Sequence, residues 1–191
     1  MKIVVTAFSP FGGYEENSSL EVLKRIDSTN IQKEILEVSY SKVASKLLTI
    51  LEKEKPDYLL LLGQAANRSS VTLEKVAINY INTPTKDNDG VFYLNQKIDD
   101  NEQDAYFTNF EINEIINDLS SEYPVTMSYT AGTYVCNYSF FTALKFVKNL
   151  HLKTKVEFIH FPLIRNEINK TSLPLEEMVE ITNKIINLIT K

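Results

Sequence analysis

No polar residue interrupts the run Leu59-Leu60-Leu61-Leu62 between Tyr58 and Gly63, and this segment constrains the fold more than any other. It is too short for a typical helix, and a strand that does not alternate polar with apolar residues must be covered on both faces. The neighbouring segments supply the cover. Strand-like runs at residues 3–5, 35–38, 71–80, 125–129 and 156–161 alternate with helical patterns at residues 17–26, 40–53, 112–119, 135–150 and 175–189. Pro174 sits near the first turn of the last helix, where a missing N–H does no harm. This alternation predicts a three-layer α/β/α sandwich around a mostly parallel, twisted mixed sheet, as a single domain over residues 1–191. Residues 83–109 break the rhythm, being rich in Asn, Asp and Lys while carrying Val91, Phe92, Tyr93, Tyr106 and Phe107. The aromatics predict an ordered loop beside a site or an oligomer contact.

Composition removes several function classes. A net charge of -5 with only sparse basic residues, such as Lys148, Lys153 and Lys155, does not form a surface for nucleic acid or for an anionic membrane. No segment reaches the roughly 20 apolar residues of a membrane span, and the N-terminal Ile3-Val4-Val5 run is too short for a signal peptide. Cys136 is the one cysteine, so no intrachain disulfide forms and a reducing cytoplasm suits the thiol. With His151 and His160 it completes the Cys/His inventory, one short of a four-ligand structural zinc site. The expectation is a cytoplasmic protein with no metal and no cofactor.

The same short inventory directs attention to chemistry. Strand 125–129 runs through Ala131-Gly132-Thr133 into a helix whose first turn holds Cys136. Unpaired N–H groups and the dipole there stabilise an anion, which favours a thiolate and suits an oxyanion. Taken by itself, Cys136 also fits a small buried hydrophobe. His160 closes a strand, at the end where ligands gather in open α/β sheets, although a core histidine fits equally. His151, at a helix end, reads as structural. Glu74 lies in the alternating stretch Val71-Thr72-Leu73-Glu74, where alternation alone turns it to water. A carboxylate on the far nitrogen of His160 would instead complete a nucleophile, base and orienter.

Taken together, these segments resemble the pyrrolidone-carboxylate peptidases, or pyroglutamyl peptidase I, nearly end to end. The resemblance rests on Val5-Thr6-Ala7-Phe8-Ser9-Pro10-Phe11-Gly12-Gly13, on Leu62-Gly63-Gln64-Ala65 leading to Arg68, and on Glu74-Lys75-Val76-Ala77-Ile78-Asn79. It rests further on Ala131-Gly132-Thr133-Tyr134-Val135-Cys136-Asn137 and Phe158-Ile159-His160-Phe161-Pro162. It implies a cysteine peptidase with Cys136, His160 and Glu74 as the catalytic residues. It also implies a lactam slot in which Phe8 and Phe11 sandwich the ring, Tyr134 and Val135 sit beside the nucleophile, and Asn17 and the Gln64 backbone supply polar contacts. The implied substrates are peptides with an N-terminal pyroglutamate, and the implied assembly is a homotetramer. Three features depart from the family pattern: Ala7 and the Ala66-Asn67 pair replace glycines, and Pro84 stands where most members have an arginine, with Lys86 nearby. They motivate an alternative, a relative that binds pyroglutamyl or similar N-termini without turning them over.

Overall fold

The computed structural model describes residues 1–13, 15–27, 29–166 and 172–191. The apolar opening forms β1 (Ile3–Phe8), and α1 (Ser18–Arg25) follows, its free amides met by Asn17, whose side chain accepts from Ser19 N. After β2 (Ile31–Leu36) comes α2 (Tyr40–Glu54), capped by Ser39 and closed by left-handed Lys55. The leucine run becomes β3 (Tyr58–Gln64). Four short strands succeed it, β4 (Val71–Glu74), β5 (Val76–Ile78), β6 (Ile81–Thr83) and β7 (Tyr93–Gln96), then β8 (Ala105–Phe107). The chain ends with α3 (Ile112–Leu119), β9 (Val125–Ser128), α4 (Val135–Asn149), β10 (Lys155–Phe161) and α5 (Leu175–Ile189).

Six strands form the central sheet in the order β2-β1-β3-β10-β4-β9. Every neighbouring pair is parallel except β10 with β4, so the sheet is mixed and mostly parallel. Strand alternation sorts its side chains into two cores. Ile3, Val5, Leu60, Leu62, Leu73, Ile159 and Phe161 pack with α1, α3 and α5, whereas Val4, Leu59, Leu61, Val156 and Phe158 pack with α2 and α4. The three-layer sandwich is therefore present, with β3 buried on both faces: Leu59, Leu60, Leu61 and Leu62 are each 0% exposed. Each such side chain contributes about 1.5–3 kcal/mol of transfer free energy.

Three elements differ from the sequence reading. β2 begins at Ile31, ahead of the apolar run, because it lies at the sheet edge where Gln32, Lys33 and Glu34 are tolerated in a strand. Residues 71–80 are two strands, with Lys75 bonding to Ser128 O through its N–H and receiving Thr108 N at its carbonyl. β4 stays in the main sheet while β5 leaves to pair with β8. Residues 83–109 are ordered as expected but include strand: β7 pairs with β6 and β8 with β5. Buried Asn79 organises the intervening turn, donating to the carbonyls of Asp99, Glu102 and Gln103 and accepting from the N–H groups of Ile98 and Asp99.

Candidate active site

Strand parity decides which side chains can meet. His160 lies two residues beyond Phe158, and Glu74 one beyond Leu73, so both face the α2/α4 layer. His160 Nδ1 donates to Glu74 Oε1 at 2.7 Å, with the side chains 4% and 0% exposed. The bond leaves the lone pair of a neutral imidazole on Nε2. Glu74 does not face water: its alternation turns it into the protein because helices cover both faces of the sheet.

Arg68 supplies the countercharge. Its Nη1 lies 2.7 Å from the same Glu74 Oε1 and donates to Thr72 Oγ1, while Nη2 donates to Thr130 O at 2.8 Å. A buried carboxylate without such a partner is strongly unfavourable. The role of Arg68 was not read from sequence, where it marked only the end of a motif. Lys86 and Pro84 are exposed, so the site takes its cation from Arg68. Ala66 and Asn67 are absent from the positive-φ residues, so replacing glycine there introduces no left-handed strain.

Cys136 is the second residue of α4 and is partly exposed. Tyr134, the residue before the helix, offers no side-chain cap, and the first backbone bond of the helix runs from Tyr138 N to Tyr134 O. The N–H groups of Val135, Cys136 and Asn137 are thus left without an intrahelical partner. Asn137 fixes this helix start from below: it donates to the carbonyls of Ile78 and Tyr80 and accepts from Ile78 N.

Protonation differs from the sequence expectation of a lowered thiol pKa. Burial, reinforced by the Glu74 charge and opposed by Arg68, pushes the Cys136 thiol up to about 12. Burial also lowers the His160 pKa, against the upward pull of Glu74. The resting pair is therefore a neutral thiol and a neutral imidazole.

Gly63 leaves room for the imidazole. A Cβ there would lie 2.8 Å from Phe158 Cε1 and 3.1 Å from His160 Cδ2, and the Phe158 and His160 rings are 4.6 Å apart. A glycine at the end of β3 lets both rings lie against the neighbouring backbone.

A family model described as pyroglutamyl peptidase matches residues 1–191. The chain belongs to the pyroglutamyl peptidase family. Among its relatives in that family, the pyrrolidone-carboxylate peptidase of Thermococcus onnurineus is 35% identical over 199 residues, covering 100% of both chains. That of Thermococcus kodakarensis is 39% identical over 167 residues, covering 85% of this chain and 81% of the relative. The solved pyrrolidone carboxyl peptidase from Thermococcus litoralis matches the fold with a TM-score of 0.91 at 32% identity, covering 98% of this chain and 92% of that one. Pyroglutamyl peptidase I from Bacillus amyloliquefaciens matches with a TM-score of 0.89 at 30% identity, covering 96% and 91%.

Beside Cys136, Phe8, Phe11, Val38, Gln64, Tyr134 and Val135 enclose an apolar cleft. Five of the sequence candidates thus converge on the thiol, and Val38, just past β2, joins them. Asn17 does not line this cleft; its Oδ1 caps α1 and its Nδ2 reaches Ser9 O at 3.5 Å, so it braces the loop that carries Phe11. The cleft has a free volume of only about 10 Å³, room for no more than one water. Among the described residues, no group of three or more His, Cys, Asp or Glu is placed to hold a metal ion, and no helix is long and apolar enough to cross a membrane.

Proposed function

We propose that this chain, acting as one domain over residues 1–191, hydrolyses the amide bond after an N-terminal pyroglutamyl residue through a thioester on Cys136. The observation that carries the reading is the buried His160–Glu74 hydrogen bond of 2.7 Å, on the same sheet face as the uncapped start of α4. His160 Nε2 takes the thiol proton as Sγ attacks the pyroglutamyl carbonyl, and the N–H groups of Val135, Cys136 and Asn137 receive the oxyanion. Protonated Nε2 then gives its proton to the departing amine as the C–N bond breaks. Water, deprotonated by His160, attacks the thioester; pyroglutamate leaves and Sγ regains its proton. Glu74 keeps Nδ1 protonated and stabilises the imidazolium, supporting a general base whose own contribution is about 10²–10⁴-fold. No metal or cofactor takes part in these steps.

The cleft supports the substrate assignment because the pyroglutamyl ring is flat, uncharged and without a free amine. Apolar walls and a few backbone contacts accept it and reject Glu or Gln, whose charge or amine would be stranded. With about 10 Å³ free, the cleft must widen for the ring to enter. A cytoplasmic homo-oligomer, tetrameric by family resemblance, belongs to the same reading. Exposed Phe92, Leu94 and Phe107 are the side chains that such an assembly would cover. The test is release of a fluorescent amine from a pyroglutamyl amide by the reduced protein and by Cys136→Ser. Turnover that disappears in the variant supports the reading. A folded, reduced parent that turns over nothing leaves a protein that only binds such N-termini.

A further inference from the structure

A second groove adjoins the cleft through Gln64, which lines both, and its other walls include Glu15, Glu16, Ser18, Leu163 and Ile164. Its free volume is about 220 Å³, against about 10 Å³ in the cleft, so it accepts a side chain without rearrangement. We infer that this groove receives the residue following pyroglutamate and selects a lysine or arginine there. The inference rests on the peptidase reading above and names which peptides it would favour.

The direction of the substrate follows from the chemistry. Once the ring occupies the apolar cleft and Sγ attacks its carbonyl, the departing nitrogen must lie within hydrogen-bonding reach of His160. Leu163 and Ile164 follow His160 closely, just past the end of β10. A peptide leaving the cleft past Gln64 would enter the groove they wall. The half-buried Leu163 and Ile164 offer an apolar path for an aliphatic stem.

The lining also includes Glu15 and Glu16, both exposed. Among the described residues neither has an ion-pair or hydrogen-bond partner. The nearby cation Arg165 directs its Nε to Ser172 O at 2.6 Å instead of to these carboxylates. A side chain with an aliphatic stem and a cationic head matches a groove that combines half-buried apolar side chains with unpaired carboxylates, as a neutral or acidic one does not. Ser18 also lines the groove; it is 1% exposed, and its hydroxyl is buried without a hydrogen-bond partner.

The test compares kcat/KM for pyroglutamyl-lysine, pyroglutamyl-leucine and pyroglutamyl-glutamate amides. The proteins are the parent, a Glu15→Gln/Glu16→Gln variant and a Glu15→Lys/Glu16→Lys variant, each at low and high ionic strength. Exposed charge pairs shift such ratios by about two- to fivefold per carboxylate. The lysine-to-glutamate ratio should exceed one in the parent at low salt, fall towards one in the glutamine variant and in high salt, and invert in the lysine variant. A ratio that is the same in all three proteins, or a lysine preference that survives both the glutamine variant and high salt, overturns the inference while leaving the peptidase reading intact. A folded parent that cleaves none of the three amides overturns both.

Discussion

Gly63→Ala is the perturbation whose effect the geometry fixes most tightly. The new Cβ would stand 2.8 Å from Phe158 Cε1 and Cζ and 3.1 Å from His160 Cδ2, where ordinary contact begins at 3.4 Å. Phe158 must therefore shift, and retreats by about 3.4 − 2.8 = 0.6 Å if it is to regain ordinary contact. It has little space for this, being 0% exposed and packed against Phe140 at 5.9 Å. Overpacking of this kind costs about 1–3 kcal/mol of stability. The larger effect should fall on catalysis, because His160 shares the clash while its Nδ1 is tethered to Glu74. A misplacement of about 1 Å in a catalytic group costs about 10²-fold, and His160 needs to yield only a few tenths of that to regain ordinary contact, so the expected loss is smaller. The assay pairs a thermal melt with kcat and KM on a pyroglutamyl amide. The expected result is a folded variant with a lowered melting temperature, kcat down by roughly 3- to 10-fold, and KM changed far less. A variant that folds and keeps kcat within about twofold of the parent would refute the argument that the imidazole needs the room Gly63 leaves.

Other perturbations give separate checks. Because burial holds the His160 pKa below its usual 6.5, and His160 acts in its neutral form, the acid limb of kcat/KM should lie below pH 6.5. Glu74 pulls that pKa upward, so Glu74→Gln should move the limb further to acid while lowering kcat by about 10²-fold or more, which a pH–rate profile reads directly. The Cys136 thiol, pushed up to about 12 by burial, should react slowly with iodoacetamide at neutral pH and faster as pH rises, followed by mass of the alkylated protein. Arg68→Met strips the buried Glu74 of its cation and should cost about 3–5 kcal/mol, measured by denaturant unfolding, together with a loss of kcat.

Much of this site is visible in the chain because its logic is local. The uncharged run of β3 announces a doubly covered strand, and Cys136 follows a glycine-containing turn into a helix start. Once both faces of the sheet are known to be covered, the alternation of β4 and β10 places Glu74 and His160 on the side of α4. What sequence does not reveal depends on partners distant in the chain. The break at Lys75 is enforced by Ser128 and Thr108, and β7 has too little apolar character, Tyr93-Leu94-Asn95-Gln96, to register as a strand before it pairs with β6. Asn17 illustrates the converse: the family resemblance implies a ligand contact, whereas its position just before Ser18 and Ser19 already has the form of a helix cap. Arg68 is invisible as a partner of Glu74 because its guanidinium must cross from a loop to reach β4. The raised thiol pKa is likewise unreadable, since the helix start is a local feature and the burial opposing it is not.

The central claim is a pyroglutamyl thioester on Cys136, formed with His160 as the base and common to every substrate. Hydroxylamine added during turnover competes with water for that intermediate, so the partition can be read even where the thioester does not accumulate. For a set of pyroglutamyl amides with different leaving amines, the account predicts pyroglutamyl hydroxamate and free pyroglutamate in one constant ratio, with neither product formed by Cys136→Ser. A ratio that varies with the leaving amine, hydrolysis without any hydroxamate, or full turnover by Cys136→Ser would contradict it.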